Sequence, residues 1–127
     1  MPRQTHNKDL SQTTSVAIIG AGFGGIAMAI RLLQAGIQDF IILEKADDVG
    51  GTWRENQYPG AACDVQSHMY SLSFAPKTNW SKRYAEAPEI FDYIQDLIEQ
   101  FELKKYIQFN QKVVSTIYNE TNFNWAI

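Results

Sequence analysis

Six residues, Gly20–Gly25, constrain the fold most strongly, because their glycines match the pattern G-x-G-x-x-G. A short apolar run rich in β-branched residues, Val16–Ile19, precedes them and predicts a buried strand. After such a strand, the first glycine allows a tight turn, the second lets backbone approach a pyrophosphate, and the third lets a helix pack closely. The N-terminus of that helix offers free N–H groups and partial positive charge. The pattern therefore predicts a diphosphate-binding turn.

The residues after the glycines continue the pattern of a βαβ unit. From Phe23 onward apolar residues recur at intervals of three and four, and Gly36 offers a stop, which predicts a helix of about three turns. A second apolar run, Phe40–Leu43, ends at Glu44. A strand, a helix and a strand within about 30 residues predict a right-handed crossover and a parallel sheet. The predicted fold class is α/β and Rossmann-like.

Glu44 occupies the position of the acid that is expected about 20 residues after the glycines. At the end of the second strand its carboxylate can accept hydrogen bonds from ribose hydroxyls, and it would repel a 2′-phosphate. We therefore expect the turn to hold the ADP half of FAD or NAD rather than NADP. The alternative for the same residues is a flexible turn beside a solvated acid.

The remainder of the chain begins with an irregular segment, residues 45–82, and a loop of this length is usually functional. Pro88 and an apolar face predict an amphipathic helix over residues 88–101, to which we assign core packing and no chemistry. Tyr106–Phe109 predict a third strand, and residues 113–127 predict a β-hairpin.

Composition excludes several classes of function. A formal net charge of −3 does not favour nucleic acid or an anionic membrane surface. The single cysteine, Cys63, excludes an internal disulfide, and the two histidines stand apart, so no metal site is predicted. The least polar stretch, Val16 to Ile30, is too short for a membrane span. Residues 1–14 lack the apolar core of a signal peptide, so we expect a cytoplasmic protein. We expect these residues to form a polar disordered tail and residues 15–127 to form one domain.

A second motif follows Glu44 almost directly. The run from Gly50 to Phe74, GGTWRENQYPGAACDVQSHMYSLSF, closely resembles class B flavoprotein monooxygenases, the group of Baeyer–Villiger and flavin-containing monooxygenases. An NAD-dependent dehydrogenase has no use for this second glycine pair. The resemblance covers roughly residues 15–127, and it implies an enzyme that uses FAD, NADPH and O₂ on a small-molecule substrate, a ketone or a soft nitrogen or sulfur compound.

The resemblance also implies FAD-binding roles for individual residues. Gly20, Gly22 and Gly25 would lie at the diphosphate, and Glu44 at the adenosine ribose. Gly51, Thr52 and Trp53 would lie beside the ribityl chain and flavin, and Asp64, Val65 and Tyr70 against the isoalloxazine. Val113 would contact adenine through its backbone, and Phe23 and Lys45 would be further cofactor-binding positions.

Ala62, Cys63 and Asp64 would also face the nicotinamide nucleotide. As the catalytic residue, Asp64 would pair with an arginine from later in the family's chain and position it near negative charge that develops on the flavin. Many Baeyer–Villiger members have arginine where Ala62 stands, so contacts through that side chain are not expected here. We interpret Cys63 as a packed residue and His68 as a structural or loop histidine.

Members of this family run to several hundred residues, and this sequence lacks their second glycine motif. The prediction is therefore the N-terminal part of an FAD-binding domain that ends in a β-hairpin and is inactive in isolation. The alternatives are a non-catalytic dinucleotide-binding module or pseudoenzyme, or the FAD- or NAD-binding part of another oxidoreductase with two dinucleotide sites.

Overall fold

A computed structural model describes residues 12–127, so residues 1–11 of the predicted tail lie outside the described part. Residues 12–14 have no regular secondary structure. The helices and strands of the described residues are, in chain order, β1 (Val16–Ile19), α1 (Phe23–Gln34), β2 (Phe40–Leu43), α2 (Thr52–Glu55), α3 (Ala87–Gln100), β3 (Ile107–Gln108), β4 (Ile117–Asn119) and β5 (Asn124–Ala126).

The first three strands form a parallel sheet in the order β1-β2-β3, which confirms the predicted α/β, Rossmann-like fold. The register places Val16 opposite Phe40 and Ile42 opposite Ile107. β3 is shorter than predicted, because Tyr106 ends a short 3₁₀ turn and stacks on the ring of Phe40 with centroids 4.2 Å apart. The parallel register brings the carboxyl ends of β1 and β2 to the same edge of the sheet.

Of the two amphipathic helices, α1 packs on β1 and β2, and α3 packs on α1 and α2. α1 buries Ile26, Ala29 and Ile30, and it ends at Gln34, just before the predicted stop at Gly36, which adopts a φ of 79°. The N–H of Ile37 donates to Leu32 O at 2.9 Å and that of Gly36 to Leu33 O at 3.0 Å, the bonds of a Schellman motif. α3 confirms the second predicted helix and buries the apolar residues Ile90, Ile94, Leu97 and Ile98.

Tyr93 lies outside the apolar face predicted for α3, yet it is buried. Its phenol donates to Ala75 O at 2.6 Å and accepts from the N–H of Leu72 at 3.0 Å. Burial raises the pKa of Tyr93, so the phenol keeps its proton at neutral pH. This side chain fixes the irregular segment onto α3.

The predicted hairpin is present as β4 and β5, with Ile117 opposite Ala126, although its first strand begins four residues later than expected. The side-chain oxygen of Asn119 accepts from the N–H groups of Thr121 and Asn122 at 2.9 and 3.0 Å, which closes the turn. Both strands are exposed. No helix among residues 12–127 has the length and apolar character needed to cross a membrane.

Gly25 and Gly24 offer a matched test of the packing between α1 and β1. A Cβ on Gly25 would overlap the carbonyl oxygen of Gly20, whereas a Cβ on Gly24 would meet nothing within 4 Å. We expect Gly25→Ala to lower the free energy of unfolding by about 3 kcal/mol or more. Gly24→Ala should raise it by about 0.4–1 kcal/mol, because alanine reduces the entropy of the unfolded chain. Urea denaturation measures both, and similar effects of the two variants would contradict this packing.

Tyr93→Phe tests the anchoring of the irregular segment. The substitution removes a buried donor and acceptor together, so we expect the free energy of unfolding to fall by about 1–3 kcal/mol. Tyr118→Phe on the exposed hairpin is the control and should change it by less than about 0.5 kcal/mol. Equal effects in urea denaturation would show that the phenol of Tyr93 does not anchor the segment.

Candidate functional site

The glycine turn connects β1 to α1 at the carboxyl end of the sheet. Gly20 adopts a φ of 95°, which favours glycine, and its N–H donates to Leu43 O at 2.8 Å. Gly25 is required by packing, because its Cα lies against the carbonyl of Gly20. Gly22 differs from both, since a Cβ there would find its nearest atom, Gly51 Cα, at an ordinary 3.7 Å. Packing of the described residues therefore does not demand glycine at position 22.

Free N–H groups line the start of α1. Gly22 is the N-cap, and the first bond of the helix runs from the N–H of Ile26 to Gly22 O at 3.0 Å. The N–H groups of residues 22–25, at the N-cap and in the first turn of α1, consequently have no partner within the helix. Together with the positive end of the helix dipole, they form a site suited to an anion such as a diphosphate.

The second glycine pair packs directly on this turn. The N–H of Gly50 donates to Ala21 O at 2.9 Å, and a Cβ on Gly51 would lie 3.2 Å from Gly22 Cα. The ring of Phe91 packs directly on Gly50, where an added Cβ would lie only 2.7 Å from the ring. Gly51 and the following Thr52 therefore lie beside the first motif, and the two glycine motifs form one site.

Glu44 joins the parts of this site. It is only 4% exposed, which rules out the solvated strand-end acid. One carboxylate oxygen accepts from the N–H of Ala21 at 2.7 Å and the other from that of Ala46 at 2.9 Å. The guanidinium of Arg54 lies 3.9 Å from the second oxygen. A carboxylate has about four lone-pair sites, so two acceptor sites remain for a ligand.

The segment after β3 runs beside the end of β2. The N–H of Asn110 donates to Ala46 O and that of Gln111 to Glu44 O, both at 2.9 Å. Val113 follows on the same segment and is half-buried. Lys45 is exposed, and its ammonium lies 3.7 Å from a carboxylate oxygen of Glu55. The fold thus brings the segment of Val113 to the same end of β2 as Glu44, while the contact of Val113 with adenine stays a prediction.

Three of the aromatic residues assigned to the cofactor form a cluster at the start of α1. The indole N–H of Trp53 donates to the phenol oxygen of Tyr70 at 3.1 Å, and the rings meet edge-on with centroids 5.8 Å apart. The ring of Phe23 also meets that of Tyr70 edge-on, with centroids 5.4 Å apart. Burial raises the pKa of Tyr70, so its phenol is protonated at neutral pH and can donate.

The segment assigned to the flavin and the nicotinamide nucleotide is anchored beside the start of α3. The N–H of Cys63 donates to Ala85 O at 2.8 Å, and its buried sulfur accepts from the N–H of Val65 at 3.4 Å, which confirms that Cys63 is a packed residue. Ala62 and Asp64 are exposed, and Val65 is partly so. The catalytic role of Asp64 stays a prediction.

His68 is exposed on a short 3₁₀ turn, in agreement with its interpretation as a loop histidine. Within residues 12–127 no three His, Cys, Asp or Glu side chains form a group that could hold a metal ion. The sequence did not single out Arg54, although its side chain is only 16% exposed beside Glu44. The one available signal was a cation within a glycine-rich segment ten residues after that acid.

Comparison with known proteins agrees with this geometry. The chain is 40% identical over 121 residues to a Baeyer–Villiger monooxygenase of Streptomyces coelicolor, an alignment that covers 95% of the chain and 23% of the relative. Its fold matches that of an oxidised steroid monooxygenase bound to NADP with a TM-score of 0.85, at 37% identity over 90% of the chain and 22% of that structure. OTEMO in complex with FAD and NADP matches with a TM-score of 0.80, at 32% identity over 90% of the chain and 22% of that structure.

The chain thus spans about a quarter of the length of the curated relative and of these structures. The predicted resemblance to Baeyer–Villiger monooxygenases is confirmed at this level. Residues 18–96 also match the model of the family described as NAD(P)-binding Rossmann-like domain. Since this match covers more than half of the chain, the protein belongs to the family of NAD(P)-binding Rossmann-like domains.

Proposed function

We propose that this chain holds the ADP half of FAD in a flavoprotein monooxygenase of the Baeyer–Villiger type. The observation that carries the proposal is Gly22, which packing leaves free to accept a side chain although it stands at the N-terminus of α1. A Cβ at this position would fill the space through which a diphosphate reaches the N–H groups of the turn. The names of similar proteins, which include an FAD-binding monooxygenase and structures with FAD and NADP, support the same ligand.

The residues around the turn would hold the adenosine end of the cofactor. The N–H groups at the start of α1 would bind the diphosphate, with Gly51 and Thr52 beside it. Glu44, already oriented by the N–H groups of Ala21 and Ala46, would accept from the ribose hydroxyls with its remaining lone pairs. Its negative charge would disfavour a 2′-phosphate at this position.

The aromatic cluster would lie beside the flavin. When bound, FAD supplies the redox chemistry, taking a hydride from NADPH and reacting with O₂. Tyr70, whose oxygen accepts from Trp53, would donate its proton in a hydrogen bond to the cofactor. Asp64, exposed beside this cluster, would hold a cationic side chain of the whole enzyme near developing negative charge. Ala62 and Cys63 would face the nicotinamide nucleotide together with Asp64.

The substrate of the whole enzyme would be a small ketone, or a soft nitrogen or sulfur compound that is oxygenated. We place the protein in the cytoplasm without a nucleic-acid, membrane or metal partner. The net charge of −3 supports the part of this assignment that concerns nucleic acid and membranes, because it provides no electrostatic attraction to phosphate backbones or anionic lipid.

Gly22→Ala tests the proposal directly. Because the added Cβ meets only an ordinary contact in the fold, the free energy of unfolding should change by less than about 0.5 kcal/mol. The same Cβ would block the diphosphate, so we expect the Kd for FAD, measured by isothermal titration calorimetry on the whole chain, to rise at least about tenfold.

Tyr118→Phe on the exposed hairpin is the control, because it lies outside both glycine motifs and should leave the Kd for FAD nearly unchanged. Normal FAD affinity in Gly22→Ala would refute the assignment of the turn. A wild-type chain that binds NAD in preference to FAD would instead favour the non-catalytic dinucleotide module.

Glu44→Gln should weaken FAD binding by about 1.5–3 kcal/mol, the contribution of a hydrogen bond to a charged group. It should also lower the free energy of unfolding, because the new amide N–H₂ must face the N–H of Ala21 or Ala46. Titration with FAD under conditions in which the variant is fully folded separates the two effects. Glu120→Gln on the exposed hairpin turn is the control, and an unchanged Kd in Glu44→Gln would exclude ribose binding by Glu44.

A further inference from the structure

Arg54 is a largely buried cation within the candidate site. It lies on α2, and its side chain is 16% exposed. A buried charge is costly unless it is paired and hydrogen-bonded. The partners that offset this cost therefore indicate what the residue does.

The guanidinium of Arg54 reaches back over the loop that begins at Glu44. One terminal nitrogen donates to the carbonyl oxygen of Asp48 and lies 3.9 Å from the carboxylate of Glu44. The other donates to Glu55 at 3.2 Å. Glu55 is about half exposed, so its pairing with Arg54 is screened by water and contributes little. The hydrogen bond to the Asp48 carbonyl is partly buried and the carboxylate of Glu44 is buried, so water screens these two interactions less.

We propose that Arg54 is a positioning residue for nucleotide binding, acting through Glu44; this inference rests on the proposed function. The oxygen of Glu44 nearest to Arg54 also accepts from the N–H of Ala46. The cation holds that oxygen on the loop side and leaves the other oxygen on the N–H of Ala21, within the glycine turn. The carboxylate is thereby fixed in the orientation in which its remaining lone pairs are available to the ribose.

The same side chain also holds the second glycine pair. Its bond to Asp48 O closes the loop that carries Gly50 and Gly51, and its stem packs on Gly50, where an added Cβ would lie 3.0 Å from Arg54 Cβ. Gly51 packs close to Gly22, since a Cβ on Gly51 would lie 3.2 Å from Gly22 Cα. Arg54 therefore connects the acid that would bind the ribose to the backbone that would border the diphosphate.

The test is a double-mutant cycle on the whole 127-residue chain, with ADP as the probe and calorimetry as the measurement. Arg54→Met keeps most of the stem but removes the charge and the donors, so the Kd for ADP should rise at least about tenfold. Arg54→Lys should recover part of this loss, because it keeps the charge without the fork of donors. In a Glu44→Gln background Arg54→Met should add less than about a threefold loss, since the two residues act as one unit.

Arg83→Met is the matched control, because it removes one exposed arginine elsewhere and should leave the Kd for ADP unchanged. Equal ADP binding by wild type and Arg54→Met would overturn the inference. Losses that multiply fully in the double mutant would overturn it as well, because a merely structural role predicts no coupling to Glu44. If Arg54→Met does not fold, Arg54→Lys decides: weaker ADP binding at wild-type stability supports the inference, and unchanged binding refutes it. A wild-type chain that binds neither ADP nor FAD would contradict the proposed function and this inference together.

Discussion

The carboxylate of Glu44 is the contact on which the rest of the site depends. It follows β2 directly, and the parallel register that sets Ile19 opposite Leu43 brings it level with the glycine turn after β1. From there it accepts an N–H from the turn and another from its own loop. A buried carboxylate with charge-assisted hydrogen bonds strongly specifies one geometry, because any rearrangement leaves a charge without partners.

Around this contact, the backbones of the two glycine motifs pack against each other. A Cβ on Gly51 would lie 3.2 Å from Gly22 Cα, so the N-terminus of α1 and the loop before α2 border one space. The aromatic cluster of Phe23, Trp53 and Tyr70 continues from this point along the surface. The site thus combines an electropositive backbone region with a hydrophobic wall, which is the polarity that a molecule with a charged diphosphate and a flat ring system requires.

Local patterns predicted the parts of this fold that local forces determine. The period of α1, its stop at Gly36 and the β-branched strands follow from nearest neighbours, and the spacing of the glycines located the turn. Tyr93 was missed because a phenol interrupts the apolar spacing of α3, and its partners Leu72 and Ala75 lie in an irregular segment. Arg54 was missed for a related reason. Its contact with Glu44 forms only when the loop between them folds back, and the periodicity of the sequence does not predict the conformation of a loop. The resemblance supplied the roles of Asp64 and Val113, and those roles stay predictions.

The glycines at positions 22 and 25 belong to one motif, but the requirement for glycine has a different cause at each position. Gly25 is required by its contact with the carbonyl of Gly20, whereas glycine at position 22 would be required only by the proposed ligand. Natural selection would therefore treat them differently in a lineage that had given up its ligand. Position 25 would stay glycine for as long as the chain folds, while position 22 would drift, so the second glycine of the motif serves as a marker of continued use.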